Sequence, residues 1–428
     1  MDSVRNPYSP GAGTPPPALV GRGEEIEQFD VAVQRLGLGR PARSVLLTGL
    51  RGVGKTVLLR EFGRIAAGHG WIHQSLEARE RLDFEASAAT LARKALLRLS
   101  AGRRVADLAR RAFGTLASFQ LRWRPDSGDL TLGIDALPGR ADSGDLEEDL
   151  ADLFGAIGEA ARERGAGVLF TIDEIQYLSK DSLASLIVAL HRTSQEQLPL
   201  MAVGAGLPSV PALAGEAKSY AERLFAFHEI NSLDAAEAAQ ALVAPAQAEG
   251  VRWQPGALDV VLDATKGYPY FLQEFGKQSW DIAAGPATIA RADVEAAVPI
   301  AKEELDSGFF RVRLDRSTPG ERAYLSAMAS LGAGPHRSAD VAAVMGRTTP
   351  GAGSLRDALI KRGLCHAPRR GVVAFTVPMF DEFVRRRLTH GPPAPDARSA
   401  GDHLGADPLR LDGRLLGPGG DCDGALGG

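Results

Sequence analysis

The stretch at residues 45–56, VLLTGLRGVGKT, joins a compact apolar run to a glycine-rich turn. After the turn, Leu58, Phe62 and Ile65 recur at the spacing of one face of a helix. Continuous apolar runs are typical of buried parallel strands, and parallel strands require crossover connections, usually helices. The stretch therefore predicts the strand, loop and helix that begin an α/β domain.

The turn at residues 49–56 matches the pattern G-x-x-x-x-G-K-[ST] at every fixed position. In such a loop, successive backbone N–H groups point at phosphate oxygens, and the following helix adds the positive end of its dipole. We expect Lys55 to reach the β- and γ-phosphates of ATP, in both binding and catalysis, and Thr56 to bind Mg²⁺ through its hydroxyl. A chance glycine-rich turn is the alternative, and the flanking strand and helix argue against it. The predicted nucleotide-binding residues here are Gly49, Leu50, Arg51, Gly52, Val53, Gly54, Lys55 and Thr56.

A second apolar run, at residues 168–172, ends in the acids Asp173 and Glu174. Ligands of parallel α/β sheets bind beyond the carboxyl ends of the strands, so these acids are expected beside the glycine-rich loop. We expect Asp173 to hold Mg²⁺, directly or through water, and Glu174 to activate the water that attacks ATP. An ordinary solvated strand end is the alternative, and the complete loop makes it weaker.

Alternating apolar runs and helical patterns predict a three-layer α/β sandwich with a parallel sheet over residues 18–232. Phe119, Leu121 and Trp123 alternate before a turn, and a second alternating set follows it, so we predict an inserted hairpin at about 118–135. A helical region is predicted at 233–300 and a further domain at 301–390. The ends, 1–17 and 391–428, are rich in Pro and Gly without any period, and we expect disordered tails.

Bulk properties narrow the class of protein. The chain has 428 residues and 44% hydrophobic residues, enough for a sizeable core. No apolar run approaches the roughly 20 residues of a membrane span, and the start does not read as a signal peptide, so we expect a cytoplasmic protein without a membrane partner. Two cysteines far apart, Cys365 and Cys422, predict neither a disulfide framework nor a metal site.

Charge is distributed unevenly along the chain. Residues 311–390 contain 14 Lys and Arg against 6 Asp and Glu, a net charge of +8 in a chain whose net charge is −4. The remainder therefore carries −12. This segment also reads as three short helices, at 321–331, 338–345 and 354–362, and two strands around 364–367 and 372–376. A basic segment on an acidic body indicates an anionic partner.

Four elements together resemble the bacterial and archaeal AAA+ ATPases related to replication-initiator (origin-recognition) ATPases, and the neighbouring STAND signalling ATPases. They are LVGRGEE at 19–25, the loop at 49–56, DEIQYL at 173–178 and GYP at 267–269. The first and last are weak alone, but the order and spacing of the set are specific. The resemblance covers roughly residues 19–388.

The resemblance implies further site residues. Val20, Gly21 and Arg22 would line the adenine pocket, and Pro269 would belong to a helical lid over the nucleotide. Arg223 lies where such ATPases often carry an arginine finger that acts on a neighbouring molecule, which implies self-association. A surface helix arginine is the alternative reading of Arg223.

The C-terminal pattern of three helices and a ribbon resembles the winged helix of initiator-type ATPases. It implies duplex DNA as a partner through residues 347–370, with the third helix in the major groove and the basic turn on phosphates. The candidate contacts are Arg347, Thr348, Thr349, Ser354, Arg356, Lys361, Arg369 and Arg370. In STAND-type ATPases such a module often packs against protein instead, and that alternative stays open.

Two departures from the family pattern bear on catalysis. The run at 203–208 ends the fourth strand without a polar residue, and residues 267–273 lack the arginine expected in the lid. We therefore expect slow hydrolysis. The sequence predicts a DNA-associated ATPase switch, with a signalling switch that docks protein, or a scaffold that hardly turns ATP over, as alternatives.

Overall fold

A computed structural model describes residues 1–11, 13–100, 106–123 and 135–389. Its centre is a five-stranded parallel sheet with the strand order β2-β3-β4-β1-β5. The strands are β1 (Ser44–Thr48), β2 (Ile72–Glu77), β3 (Val168–Asp173), β4 (Leu200–Gly206) and β5 (Phe225–Glu229). The predicted α/β sandwich with a parallel sheet is confirmed.

Helices cover both faces of this sheet. They are α1 (Gly23–Gly37), α2 (Lys55–Gly68), α3 (Phe84–Ser100), α4 (Ala106–Trp123), α5 (Leu146–Glu163), α6 (Lys180–Gln195), α7 (Val210–Ala217) and α8 (Ala221–Leu224). Successive strand residues point to opposite faces, so Val45 and Leu47 enter one apolar core while Leu46 enters the other. All three are buried, which explains why β1 reads as a continuous apolar run.

The region predicted to be a helical lid, residues 233–300, and its continuation are helical. The helices are α9 (Ala235–Ala248), α10 (Pro255–Thr265), α11 (Pro269–Ile282) and α12 (Arg291–Glu304), and a π-helical turn (Leu305–Phe310) follows them. The region also contains two short strands, β6 (Arg252–Trp253) and β7 (Thr288–Ile289), which pair in parallel. Asp234 and Glu237 form a capping box at the start of α9, and proline begins both α10 and α11, where its missing N–H costs nothing.

The C-terminal unit, residues 311–389, contains five helices and a small antiparallel sheet. Its helices are α13 (Arg311–Asp315), α14 (Pro319–Ser330), α15 (Ser338–Val344), α16 (Thr349–Lys361) and α17 (Phe380–Thr389). Its strands are β8 (His336–Arg337), β9 (Cys365–His366) and β10 (Val372–Phe375), in the order β8-β10-β9. The three predicted helices and two predicted strands are present in the predicted order. The sequence did not predict β8, α13 or α17.

The predicted hairpin insertion is wrong in its first half. Phe119, Leu121 and Trp123 lie on α4, where Phe119 is fully buried and Leu121 is exposed. In a longer window Phe113, Leu116 and Phe119 recur at helical spacing, and this period outweighs the short alternation. The second half of the predicted hairpin, residues 124–134, lies outside the described residues.

The predicted N-terminal disordered tail is also wrong where the structure describes it. Tyr8 is 3% exposed, and its hydroxyl donates to the carbonyl of Leu242 at 2.5 Å and accepts from Trp253 Nε1 at 2.8 Å. The N-terminal ammonium of Met1 donates to the carbonyl of Ala283 at 2.7 Å. One buried aromatic side chain thus anchors a segment whose sequence shows no helical or strand periodicity. The tail predicted at 391–428 lies outside the described residues.

None of the helices in the described part of the chain is both long and apolar enough to cross a membrane.

Candidate nucleotide site

A cavity of about 690 Å³ lies at the carboxyl ends of β1 and β3, between the sheet, the lid and the N-terminal segment. This volume is within the range of small-molecule sites, about 300–1,000 Å³. We call it the nucleotide cavity. The predicted site residues that line it are Val20, Arg22, Arg51, Gly52, Val53, Gly54, Lys55, Thr56, Asp173, Glu174 and Pro269.

Glycine is required in the loop at residues 49–56 for two different reasons. Gly52 and Gly54 have φ values of +87° and +98°, which side chains rarely allow. A Cβ on Gly49 would lie 2.2 Å from the carbonyl oxygen of Ile230, so close backbone packing excludes one there. Gly49 N also donates to Gly206 O at 3.2 Å, which ties the start of the loop to the end of β4. Gly49 and Leu50 therefore support the loop without forming the cavity wall.

Lys55 is buried at the first position of α2. Its Nζ donates to the carbonyls of Gly49 at 2.9 Å and Leu50 at 2.8 Å. Burial lowers the pKa of Lys55 to about 8, although Glu174 and Asp173 act in the opposite direction. Both of these hydrogen-bond partners are neutral carbonyls, so an anion that entered the cavity would favour the charged form of the ammonium.

The two predicted metal ligands touch each other. Thr56 Oγ1 donates to Asp173 Oδ2 at 2.6 Å, and Asp173 Oδ1 accepts from the Glu174 N–H at 2.9 Å. Burial raises the pKa of Asp173, and the hydrogen bond from Thr56 opposes that rise. A hydroxyl and a carboxylate oxygen are hard ligands, and Mg²⁺ commonly takes one or two protein ligands and completes its shell with substrate phosphates and water. The donor set fits Mg²⁺ bound together with a nucleotide.

Glu174, the predicted water-activating residue, is held by two neighbours, Arg51 and Gln176. Arg51 Nη1 donates to Glu174 Oε1 at 3.1 Å, and the other end of the guanidinium donates to the Tyr177 hydroxyl at 3.1 Å. Gln176 Nε2 donates to Glu174 Oε2, and Gln176 Oε1 accepts from Leu207 N at 3.2 Å. The amide of Gln176 therefore supplies a polar group at the end of β4. The sequence predicted no role for Gln176 or Tyr177, and for Arg51 only loop binding.

Part of the cavity wall is apolar. Val20, Leu233, Ala241 and Leu272 contribute to it. Arg22 is 7% exposed, and its guanidinium donates to the carbonyls of three separate segments: Gly21 at 2.9 Å, Val53 at 3.2 Å and Asn231 at 2.6 Å.

Arg22 therefore joins the segment at 19–25, the loop at 49–56 and the chain after β5. Gly21 does not line the cavity. It lies against Glu237 instead, and a Cβ on Gly21 would be 2.7 Å from the carboxyl carbon of that residue. Pro269 lines it at the start of α11, next to Tyr270, whose N–H donates to Gly52 O at 3.3 Å.

Arg223 does not line the nucleotide cavity of its own chain. It is exposed on α8, immediately before β5. Because β5 runs parallel to β1, this position lies at the sheet edge opposite the loop. Any catalytic role for Arg223 needs a second molecule, and its role as an arginine finger stays a prediction.

Two contributions to the cavity wall were missed from the sequence. The N-terminal segment provides Ser9, Pro10 and Gly11, and the C-terminal unit provides Arg313. Arg313 is 258 positions from Lys55 and belongs to no motif, so no local pattern could have indicated it.

Comparison with known proteins agrees with this geometry. The profile of the AAA ATPase domain matches residues 18–203, and the profile of a domain of unknown function (DUF8462) matches residues 307–384. No curated protein matches the sequence significantly.

Three solved structures illustrate what this chain is similar to. The Walker-type ATPase PABY2304 of Pyrococcus abyssi is 17% identical, covers 86% of this chain and 96% of its own, and has a TM-score of 0.54. Orc1 of Aeropyrum pernix, solved in complex with DNA, is 15% identical with a TM-score of 0.44, over 87% of this chain and 94% of its own. Cdc6p of Pyrobaculum aerophilum is 16% identical with a TM-score of 0.45, and the match covers 91% of this chain and 98% of its own.

At these identities the structural likeness describes the fold alone, and the sequence profile identifies the domain. Residues 18–203 of this chain form an AAA ATPase domain with the AAA+ P-loop fold.

Proposed function

We propose that this chain binds ATP with Mg²⁺, hydrolyses it slowly, and acts as a nucleotide-controlled switch associated with DNA. One observation carries the ATPase part of the proposal. The side chains that ATP hydrolysis needs converge on one cavity from two separate strand ends: Lys55 and Thr56 after β1, and Asp173 and Glu174 at the end of β3.

Each of these residues has a defined role in the proposed reaction. Lys55 binds the β- and γ-phosphates, and the N–H groups of the loop surround them. Thr56 and Asp173 hold Mg²⁺, which when bound neutralises charge on the phosphate oxygens. Glu174 orients the attacking water and accepts its proton.

Slow turnover follows from how Glu174 is held. Its carboxylate is engaged by Arg51 at 3.1 Å and by Gln176, so it must leave these partners before it can activate water. The sheet offers no further cation from β4, whose last residue is Gly206. This proposal includes ATP-dependent self-association, which would bring Arg223 of one molecule to the nucleotide cavity of another. Cytoplasmic location remains a prediction.

The DNA part of the proposal is supported by cations on the C-terminal unit. Arg347, Lys361, Arg369 and Arg370 are exposed, and among the described residues none of them has an ion-pair partner. Arg369 and Arg370 lie in the turn between β9 and β10. Unpaired exposed cations of this kind are suited to backbone phosphates.

Two of the other candidate contacts are already engaged. Thr348 caps α16 by accepting from Gly351 N, and Arg356 pairs with Asp357 at 2.8 Å. The remaining candidates, Thr349 and Ser354, are exposed on α16. The proposed phosphate contacts therefore rest mainly on the four unpaired cations.

A signalling switch whose C-terminal unit docks protein is the second candidate. It is favoured by the packing of that unit on the nucleotide site: a Cβ on Gly363 would lie 2.7 Å from Arg51 Nε. In the π-helical turn that precedes the unit, Phe309 stacks on Tyr270 with ring centroids 4.6 Å apart. A unit packed internally has less surface for DNA.

A titration of the intact protein with a labelled duplex of arbitrary sequence separates the two candidates. With a non-hydrolysable ATP analogue and with ADP, we expect different affinities, and in both cases binding that weakens steeply with salt. Absence of salt-sensitive binding with either nucleotide would leave the protein-docking switch as the better account. Sizing of the same samples tests self-association, and Arg223→Ala should reduce any ATP-dependent assembly.

A further inference from the structure

Arg313 places a cation from the C-terminal unit in the wall of the nucleotide cavity. It lies on α13, inside the segment 307–384 that matches a domain of unknown function. Its guanidinium carbon lies 3.7 Å from the ring centroid of Phe309, and Nη1 donates to the Phe309 carbonyl. Phe309 stacks on Tyr270, whose N–H bonds to Gly52 of the loop. A continuous set of contacts therefore fixes Arg313 relative to the phosphate-binding loop.

The charge of Arg313 has no counter-ion in the described part of the chain. Its ion-pair partners would have to be carboxylates, and none is within reach among the described residues. Burial and, to a lesser extent, the cation of Arg51 lower the pKa of Arg313 to about 10, against the opposite effect of Tyr268 and Tyr270. A partly buried cation beside another cation is destabilising unless an anion joins them.

The cavity as a whole has the same deficit of negative charge. Five cationic side chains line it against three carboxylates. The cations are Arg22, Arg51, Lys55, Arg60 and Arg313, and the carboxylates are Glu77, Asp173 and Glu174. A polyphosphate fits this excess of positive charge.

The position of Arg313 selects one end of the nucleotide. Arg313 is tied through Phe309 and Tyr270 to Gly52 of the loop. Arg51, next to Gly52, is bonded to Glu174, the residue proposed to activate the attacking water, so the contacts place Arg313 on the side of the loop where the terminal phosphate reacts. The apolar side chains of the cavity wall, Val20 and Ala241 among them, are suited to the base. The lid helix α11 contains no arginine of its own.

We infer that Arg313 binds the γ-phosphate of ATP, and that through this contact the C-terminal unit distinguishes ATP from ADP. The inference rests on the ATP binding proposed above and assigns its nucleotide selectivity to a residue outside the AAA ATPase domain. With ATP, the guanidinium gains an anionic partner and α13 is held against the loop. With ADP, that partner is missing, and the C-terminal unit loses one of its ties to the site.

The test is the ratio of affinities for a β,γ-imido ATP analogue and for ADP, measured by calorimetry on the intact protein with Mg²⁺. Arg313→Ala should weaken binding of the ATP analogue about ten- to a hundredfold, as expected for a hydrogen-bonded charge pair, and change ADP binding little. Arg313→Lys keeps the cation and most of the side-chain packing on Phe309, so it should fold and lose only part of the preference. Arg311→Ala on the same short helix is the matched control, because Arg311 is exposed and does not line the cavity.

The outcomes are distinguishable. Equal weakening of both nucleotides in Arg313→Ala, or no change in either, overturns the inference while leaving ATP binding intact. If Arg313→Ala does not fold, an unchanged affinity ratio in Arg313→Lys overturns it. A wild-type protein that binds neither nucleotide contradicts the proposed function itself.

Discussion

The nucleotide loop and the C-terminal unit use positive charge in opposite ways. In the loop, Lys55 is buried and its ammonium is satisfied by two carbonyls 2.8 and 2.9 Å away. In the C-terminal unit, Arg369 and Arg370 are exposed in a turn, without an ion-pair partner among the described residues. A buried, pre-positioned cation binds one small anion in one geometry, whereas exposed cations attract an extended anion with little selectivity. We therefore expect the buried lysine and the exposed arginines to bind different ligands.

The two regions also meet, and the contact concerns catalysis. Arg51 bonds to Glu174 and packs against the backbone of Gly363, which has a φ of +68° and no room for a Cβ beside the guanidinium. A shift of the C-terminal unit therefore changes the surroundings of the arginine that holds the proposed catalytic carboxylate. This contact gives a physical route between whatever binds the C-terminal unit and ATP turnover.

Removal of the buried cation should produce the largest effect on binding. Lys55→Ala deletes two charge-assisted contacts to phosphate, each about 1.5–3 kcal/mol, so ATP affinity should fall roughly 100- to 10,000-fold. The variant should fold, because it removes a charge from a buried position. Fluorescent-nucleotide titration with a thermal melt checks both points. Lys94→Ala, an exposed lysine on α3, is the control, and unchanged affinity in folded Lys55→Ala would remove the loop from the account.

The buried cation also predicts a dependence on pH. Burial lowers the pKa of Lys55 to about 8 in the free protein, and bound phosphates favour its protonated form. As pH rises from 7 to 9 the free protein loses this proton, so ATP affinity should fall about tenfold.

The measurement is the affinity for MgATP across that interval. In Lys55→Arg the guanidinium stays charged, so affinity, although lower, should hardly vary with pH. If the ATP affinity of the wild type and of Lys55→Arg depended equally on pH, a group other than Lys55 would be responsible for the titration.

The exposed cations should give a smaller effect that depends on salt. Arg369→Ala combined with Arg370→Ala should weaken duplex binding several-fold and lower the slope of log affinity against log salt by about two. The paired control, Arg40→Ala with Arg43→Ala, removes the same charge from exposed positions on the ATPase domain. If both double variants lower the slope of log affinity against log salt by the same amount, net charge explains the binding and the turn is not a specific contact.

The sequence predicted those parts of the molecule that depend on local patterns. The strand, loop and helix around Lys55 follow from one contiguous motif. The contact between Thr56 and Asp173 follows because the loop before Thr56 and the residue Asp173 both lie at the carboxyl ends of parallel strands. Three of the five helices and two of the three strands of the C-terminal unit were likewise predicted from their own periods.

Long-range packing could not be predicted in this way. The bond between Tyr8 and Trp253 joins residues 245 positions apart, so the N-terminal segment was taken for a disordered tail. The helix α4 was read as a hairpin because five residues alternate by coincidence, and only the longer window has the helical period. Arg313 reaches the cavity through the docking of a whole unit, which no motif records.

The central claim is that Glu174 is the catalytic carboxylate of a working MgATP site. Its most direct test is phosphate release at saturating MgATP by the wild type and by Glu174→Gln, with bound nucleotide measured in the same samples. We predict that Glu174→Gln binds ATP with nearly wild-type affinity and hydrolyses it at least about a hundredfold more slowly. The control Glu163→Gln changes an exposed residue at the end of α5 that does not line the cavity, and it should behave as the wild type. Hydrolysis by Glu174→Gln at the wild-type rate would contradict the account.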